Sequence, residues 1–319
     1  MKHYRIETIY TLLQPLSHIG ESESTQSFLN TTTVVNGDKI EEVMVYSGNA
    51  LRGMLRDCGA RYLLNKLQIQ VSLKAFHLLF SGGSIGGAQS IDIDQARAIR
   101  KALPFVSLFG GGVGNQILDG KLKQTFAYPI CRETNNILPS YLPKPEYSWR
   151  HLSNVIEFSR KDDEKNENMR NQFLALEGEE LLAIEGEKGK KKKEDGPATQ
   201  MRYAVEYMAP GTQLWHRWDI ICDEVELGAF VSAIHEWQKQ PYLGGMAGKG
   251  FGLVSAEMDI ITEEEGRQPF ASIGAEFIQL SATAQKAKET YDAHLKDLYD
   301  AYVLENSETI IKMLEGTTK

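Results

Sequence analysis

Two short stretches place residue types at spacings that suit an anion. In Ser47 to Asp57, Asn49, Arg52 and Arg56 recur at intervals of three and four, so on a helix they share one side. Leu51, Met54, Leu55, Cys58 and Tyr62 recur likewise on another side and form an apolar stripe. Ser47, Gly48 and Asn49 make a small polar entrance to that helix. A helix start presents unpaired N–H groups and the positive end of the dipole, which suits a phosphate. The competing reading is a solvated helix face, because arginines are mostly exposed. In Leu243 to Val254, Gly244, Gly245, Gly248, Gly250 and Gly252 surround a single Lys249. Such a loop brings main-chain N–H groups close to an anion, and Lys249 adds a point charge. It is not a Walker loop, because Gly250 follows the lysine where Ser or Thr is required, and it lacks G-x-G-x-x-G spacing. A plain tight turn is the alternative.

The periodicities around these stretches say what positions them. Tyr4 to Leu16 reads as a first strand with Tyr4, Ile6, Tyr10 and Leu12 on one face. Val34–Val45 reads as a hairpin about Asn36-Gly37-Asp38. The arginine helix follows, to about Lys66, and Val71–Phe80 and Ile91–Leu103 read as two further short helices. Lys121–Arg132 reads as a strand, and Met201–Cys222 as two strands joined at Ala209-Pro210-Gly211. Asp223–Gln240 reads as the second core helix: Asp223 and Glu226 form a capping box, and Leu227, Phe230, Val231, Ile234 and Trp237 form its apolar stripe. Gly250–Ile260 is the expected last strand. The order strand, helix, strand, strand, helix, strand predicts an α+β fold with a ferredoxin-like, RRM-like βαββαβ core.

This core is expected in residues 1–138 and 200–260, with helical insertions at about 70–115. Residues 139–199 are expected as a projecting insertion, with a polar stretch from Ser159 and a lysine run at Lys190–Lys193. Residues 261–319 are expected as a helical tail, with Ala284, Ala287, Tyr291, Leu295, Leu298 and Tyr302 as its stripe.

Composition limits the function classes. With 319 residues, 42% hydrophobic and 24% charged, the chain can build a core without disulfides. Cys58, Cys131 and Cys222 lie far apart, without metal-ligand spacing. Residues 1–30 lack a signal-peptide pattern, and no window holds 18 uninterrupted apolar residues, so a cytoplasmic protein is expected. A net charge of −8 argues against a uniformly basic nucleic-acid binder. The charge is uneven, however. Acidic residues crowd the tail from Glu263 onward, and a local basic groove is compatible with that.

The arginine helix and the glycine-rich loop together resemble the RAMP superfamily of CRISPR-associated proteins. Its backbone subunits carry a Ser-x-Leu-[Lys/Arg]-Gly-x-x-Arg motif, and Asn49–Arg56 follows it as Asn-Ala-Leu-Arg-Gly-Met-Leu-Arg. The chain is most similar to the Cas-seven-type backbone subunit of type IV (Csf-type) effector complexes, through Pro15–Glu21, Tyr46–Asp57, Phe76–Gly87 and Pro104–Asn115. The resemblance covers roughly residues 1–260. It implies an RNA-recognition-like palm and a thumb at 139–199 that crosses the guide RNA and reaches the next subunit. It also implies a non-catalytic RNA-binding scaffold that multimerises head to tail along a CRISPR guide RNA, beside other effector subunits, and presents the guide to a target. The RNA-facing set expected on this basis is His18, Ser47, Gly48, Asn49, Arg52, Arg56, Lys121, Lys123, Arg160, Lys161, Arg202, Gly244, Gly245, Lys249 and Gly250. His18 is read as a phosphate donor or a structural histidine.

No H-E-x-x-H, paired-Cys, G-x-S-x-G or Walker motif is present, and neither a metal nor a cofactor is expected. Type III backbone subunits cleave target RNA with an aspartate in the loop after the first strand. The corresponding Gly20–Asn30 has Glu21 and Glu23 but no Asp. Metal-dependent cleavage through those glutamates is one alternative, and a nucleotide-binding enzyme using Lys249 and its glycines is the other.

Overall fold

The computed structural model describes residues 1–83, 93–113, 116–160, 201–274, 276–303, 310 and 312. In β1 (Lys2–Leu12), alternate residues Ile6, Thr8, Tyr10 and Leu12 turn to one face and are buried. β1 pairs antiparallel with β12 (Gln213–Cys222) on one side and β13 (Val254–Thr262) on the other. β8 (Leu122–Gln124) and β9 (Tyr128–Pro129) pair with the far edge of β12. β14 (Gly266–Ile273) and β15 (Ile278–Leu280) extend the sheet beyond β13. The order along this main sheet is β15-β14-β13-β1-β12-β8.

One face of the sheet is covered by α1 (Gly48–Leu67) and α5 (Glu224–Trp237). The stripe expected on α1 is buried at Leu51, Leu55, Cys58 and Tyr62, and the stripe on α5 is buried throughout. Trp218 of β12 meets Phe230 of α5 edge-on at 5.8 Å, and Tyr10 meets Trp237 at 6.0 Å. The capping box forms as expected: Asp223 accepts from the Glu226 N–H, and Glu226 from the Asp223 N–H. α6 (Ala282–Leu298) packs behind them through Ala284, Ala287, Tyr291, Leu295 and Leu298, whereas Tyr302 is exposed.

A second sheet, in the order β10-β11-β3-β2, is built from β10 (Ser153–Arg160), β11 (Met201–Met208), β3 (Gln26–Leu29) and β2 (Ile19–Glu23). β10 and β11 are antiparallel from Ser153↔Met208 to Arg160↔Met201, and β11 runs parallel to β3. β4 (Thr31–Asn36) and β5 (Lys39–Met44) close through the expected Asn36-Gly37 turn, with Asn36 opposite Lys39. Between α1 and β8 lie α2 (Leu73–Ser81), α3 (Ile93–Ala102), α4 (Pro104–Phe109), β6 (Gly111–Val113) and β7 (Gln116–Leu118). Among the described residues no helix is long and apolar enough to cross a membrane.

Four expectations need correction. Gly20–Asn30 is a β-hairpin of the second sheet, not a loop. Lys121–Arg132 holds two short strands, because the chain leaves the ladder between Gln124 and Tyr128 to bridge Tyr46 with Ala127. The segment from residue 261 opens with β14 and β15 before any helix. The insertion is bounded differently. Leu138 and Leu142 pack on Trp215 at the open face of the main sheet, and the Trp149 indole N–H donates to the Glu42 carbonyl at 2.8 Å. Residues 139–152 therefore belong to the body. At the other end, β11 departs with β10 rather than joining β12. Of the expected insertion beyond residue 152, the described part is β10, which pairs antiparallel with β11.

His216 lies beneath the helices, fully buried on β12, with no hydrogen bond of ordinary geometry to either ring nitrogen. Burial pushes its imidazole down to about 3 from 6.5. The unfolded chain therefore takes up this proton between those values and the folded chain does not, so stability falls as the pH drops through that window. At about 1.4 kcal/mol per pH unit, His216 removes roughly 2 kcal/mol at pH 5 relative to pH 7.5. Urea unfolding of His216→Phe should show native-like stability at pH 7.5 and a shallower decline toward pH 5. An unchanged decline would rule out His216 as its source.

Candidate nucleic-acid interface

The site is built on the start of α1. Ser47 is its N-cap, in extended conformation, but its side chain caps no helix N–H, and the first turn holds no acidic residue. The helix start is left electropositive and open to an outside acceptor. The Ser47 N–H donates instead to His18 Nε2 at 3.1 Å, and the His18 ring lies 4.3 Å from that of Tyr46. Burial lowers the His18 pKa, which keeps the ring a neutral acceptor. Of its two sequence readings, the structural one fits. Asn49 is exposed at the entrance, where its amide oxygen accepts from Gln124 at 3.4 Å. Gly48 is buried against the main chain at Thr125.

The glycine-rich loop is tied to this same helix start. The Gly244 N–H donates to the Tyr46 hydroxyl at 2.8 Å. Gly244 has φ +73°, and a Cβ there would stand 2.6 Å from the Ser17 carbonyl oxygen, so both conformation and space require glycine. Gly250 has φ +85° and closes the short 3-10 turn Ala247–Lys249. Gly245 has an ordinary φ and open space around its missing Cβ, so nothing steric requires glycine there.

Lys249 does not stand free as a point charge. Its ammonium lies 4.7 Å from the Tyr203 ring centroid and 5.2 Å from that of Phe158, and it donates to the Tyr203 hydroxyl at 2.5 Å. Both rings belong to the antiparallel pair β10–β11, so the glycine-rich loop and that pair are joined here. Arg202 is exposed on β11 with its side chain on the opposite face from Tyr203. Arg160 ends β10 opposite Met201. Lys161 and the Lys190–Lys193 run lie outside the described residues.

Three expected RNA contacts turn inward. Arg52 donates to the carbonyls of Leu122 at 3.1 Å and Phe109 at 2.6 Å. Arg56 donates to Phe109 at 2.6 Å, Gly110 at 3.1 Å and Leu78 at 3.4 Å. The shared side expected of them is real, but it faces the chain between α4 and β8. Burial pushes Arg56 down to about 10, with the Arg52 charge adding to the effect. Lys121 is paired with Glu226, whose side chain is only 6% exposed, and so braces the start of α5. Lys123 is exposed on the edge strand β8.

The aromatic partners of Lys249 were missed in the sequence. Their only trace is the alternation Tyr203, Val205, Tyr207, which places all three on one strand face. Glu21 and Glu23 sit on β2, every residue of which is exposed. Among the described residues, no group of three or more His, Cys, Asp and Glu could hold a metal ion.

No protein-family model and no curated protein matches the chain. Among solved structures, a chain of one described as "Type IV-B CRISPR Complex" is similar, with a TM-score of 0.56 and 18% sequence identity, covering 80% of this chain and 90% of that chain. At this identity the likeness is one of fold, and it is the fold of the complex class that the sequence resemblance indicated.

Proposed function

We propose that the chain is an RNA-binding backbone subunit of a type IV CRISPR effector complex, non-catalytic and cytoplasmic. Copies would multimerise head to tail along a guide RNA and present it, beside other effector subunits, for target pairing. β13-β1-β12-β8 with α1 and α5 is taken as the ferredoxin-like core, since the strand order and the two crossing helices fit the βαββαβ scheme. The observation that carries the proposal is a convergence. The glycine-rich loop joins an uncapped, acid-free helix start, through Gly244 and Tyr46, to the β10–β11 pair, through Lys249 and Tyr203. Such a site takes backbone phosphates and leaves bases unread. The half-buried charges of Arg52 and Arg56 add field rather than contacts.

Asn49→Asp tests this. A carboxylate at a helix start stabilises the helix by about 0.3–1 kcal/mol but repels phosphate. The variant should unfold slightly later than the native protein. It should also bind unrelated single-stranded RNAs more weakly, all by the same factor, with the difference shrinking as salt rises. Unchanged RNA affinity in a stabilised variant would place the RNA elsewhere, and loss confined to one RNA sequence would mean base readout rather than phosphate binding.

A further inference from the structure

A second kind of contact is built beside the helix start. Phe158 and Tyr203 are cross-strand partners on β10 and β11, and their rings lie 5.3 Å apart at 21°. Tyr203, Val205 and Tyr207 alternate onto the same face. Phe251, at the end of the glycine-rich loop and 2% exposed, packs against both Phe158 and Tyr207 at 6.1 Å. Its burial fixes the platform from below. Phe158 and Tyr203 stay partly exposed, and what covers their rings is the ammonium of Lys249, an exposed residue on a glycine-flanked loop. An ammonium on a half-exposed aromatic face is held weakly, because water competes for it. A nucleobase stacked on such a face buries both π-surfaces and is held more tightly. Exchange of the one for the other gives up the ring contact and the hydrogen bond to the Tyr203 hydroxyl, and it releases Lys249 toward the phosphate of the same nucleotide, where a charge-assisted contact replaces them.

We infer that Phe158 and Tyr203 form a stacking platform for an unpaired RNA base, with Lys249 as the group that covers the rings until the base displaces it. The inference rests on the RNA-binding proposal and adds a base contact that phosphate binding does not need. Stacking is sequence-tolerant, since every base has a π-face. The platform would thus hold the strand without reading it.

The test compares binding of a single-stranded RNA with binding of the same strand made abasic throughout, using the full chain. The native protein should prefer the base-bearing strand. Tyr203→Ala should lose about 5- to 150-fold on that strand and nothing on the abasic one. Tyr203→Phe should keep the preference, because the ring face remains although the hydroxyl contact to Lys249 is lost. Tyr203→Leu, which retains apolar bulk for folding, should behave as Tyr203→Ala. Equal loss on both strands would mean that the rings only position the β10–β11 pair, and no loss on either would leave the platform unused; each result overturns the inference. A native protein that binds both strands equally also overturns it while leaving the phosphate site standing. Failure to bind either strand overturns the RNA-binding proposal itself.

Discussion

Arg56→Ala unfolds about 2–3 kcal/mol below the native protein, and Arg52→Ala/Arg56→Ala falls short of the sum of the two single losses. The expectation follows from where the guanidinium groups point. Hydrogen bonds from charged donors each contribute about 1.5–3 kcal/mol, and Arg56 makes them to Phe109, Gly110 and Leu78. Water in the open cleft beside Gly82 and Gly110 replaces part of that. The two arginines share the Phe109 carbonyl, so their losses overlap. Arg56→Lys should not rescue, because a single ammonium lacks the planar fork that spans neighbouring carbonyls. Urea unfolding at neutral pH decides the matter. A double variant as stable as the native protein, yet unable to bind RNA, would return these arginines to the RNA surface.

Excision of residues 161–200, with Arg160 joined to Met201 through Asn-Gly, leaves the monomer folded and abolishes RNA-driven assembly. Arg160 and Met201 are directly opposite in the β10–β11 ladder. A two-residue type I′ turn connects such a pair without moving either strand. The platform and helix start are untouched, so one RNA segment still binds one subunit. Contacts between copies would go with the excised segment, and with them the avidity of many copies on one strand, a factor of about a hundred or more. Sedimentation with a long RNA and with one short enough for a single subunit separates the two effects. Unaltered assembly would remove the excised segment from the subunit contact, and failure to fold would place it in the core.

Much of the frame was legible because it is amphipathic. The three-four spacing from Leu51 to Tyr62 and from Leu227 to Trp237 reports a buried helical stripe wherever it occurs, and Asp223 with Glu226 marks a helix start by local chemistry alone. The β2–β3 hairpin was not legible. Gly20 to Gln26 is polar at nearly every position, and β2 is exposed along its whole length, so no face needed apolar residues. β14 was hidden behind the acidic turn at Glu263–Glu265, which dominates its neighbourhood. The site was half legible. A spacing of four places Arg52 and Arg56 on one side of a helix, but it does not say what that side meets. Their partners come from Leu78 and from Phe109 to Leu122, and the partner of Lys121 is Glu226, over a hundred residues on. Lys249 is the same case: its glycines announce a special loop, and only the tertiary fold brings Phe158 and Tyr203 to its ammonium.

The central claim, a scaffold that multimerises on RNA, is tested most directly by the size and ultraviolet absorbance ratio of the purified full chain before and after ribonuclease. The account predicts a large assembly rich in nucleic acid. Ribonuclease should collapse it to a protein of about 35.8 kDa, and added single-stranded RNA of any sequence should rebuild it. A nucleic-acid-free monomer that ignores added RNA, or an assembly whose size survives ribonuclease, would contradict it.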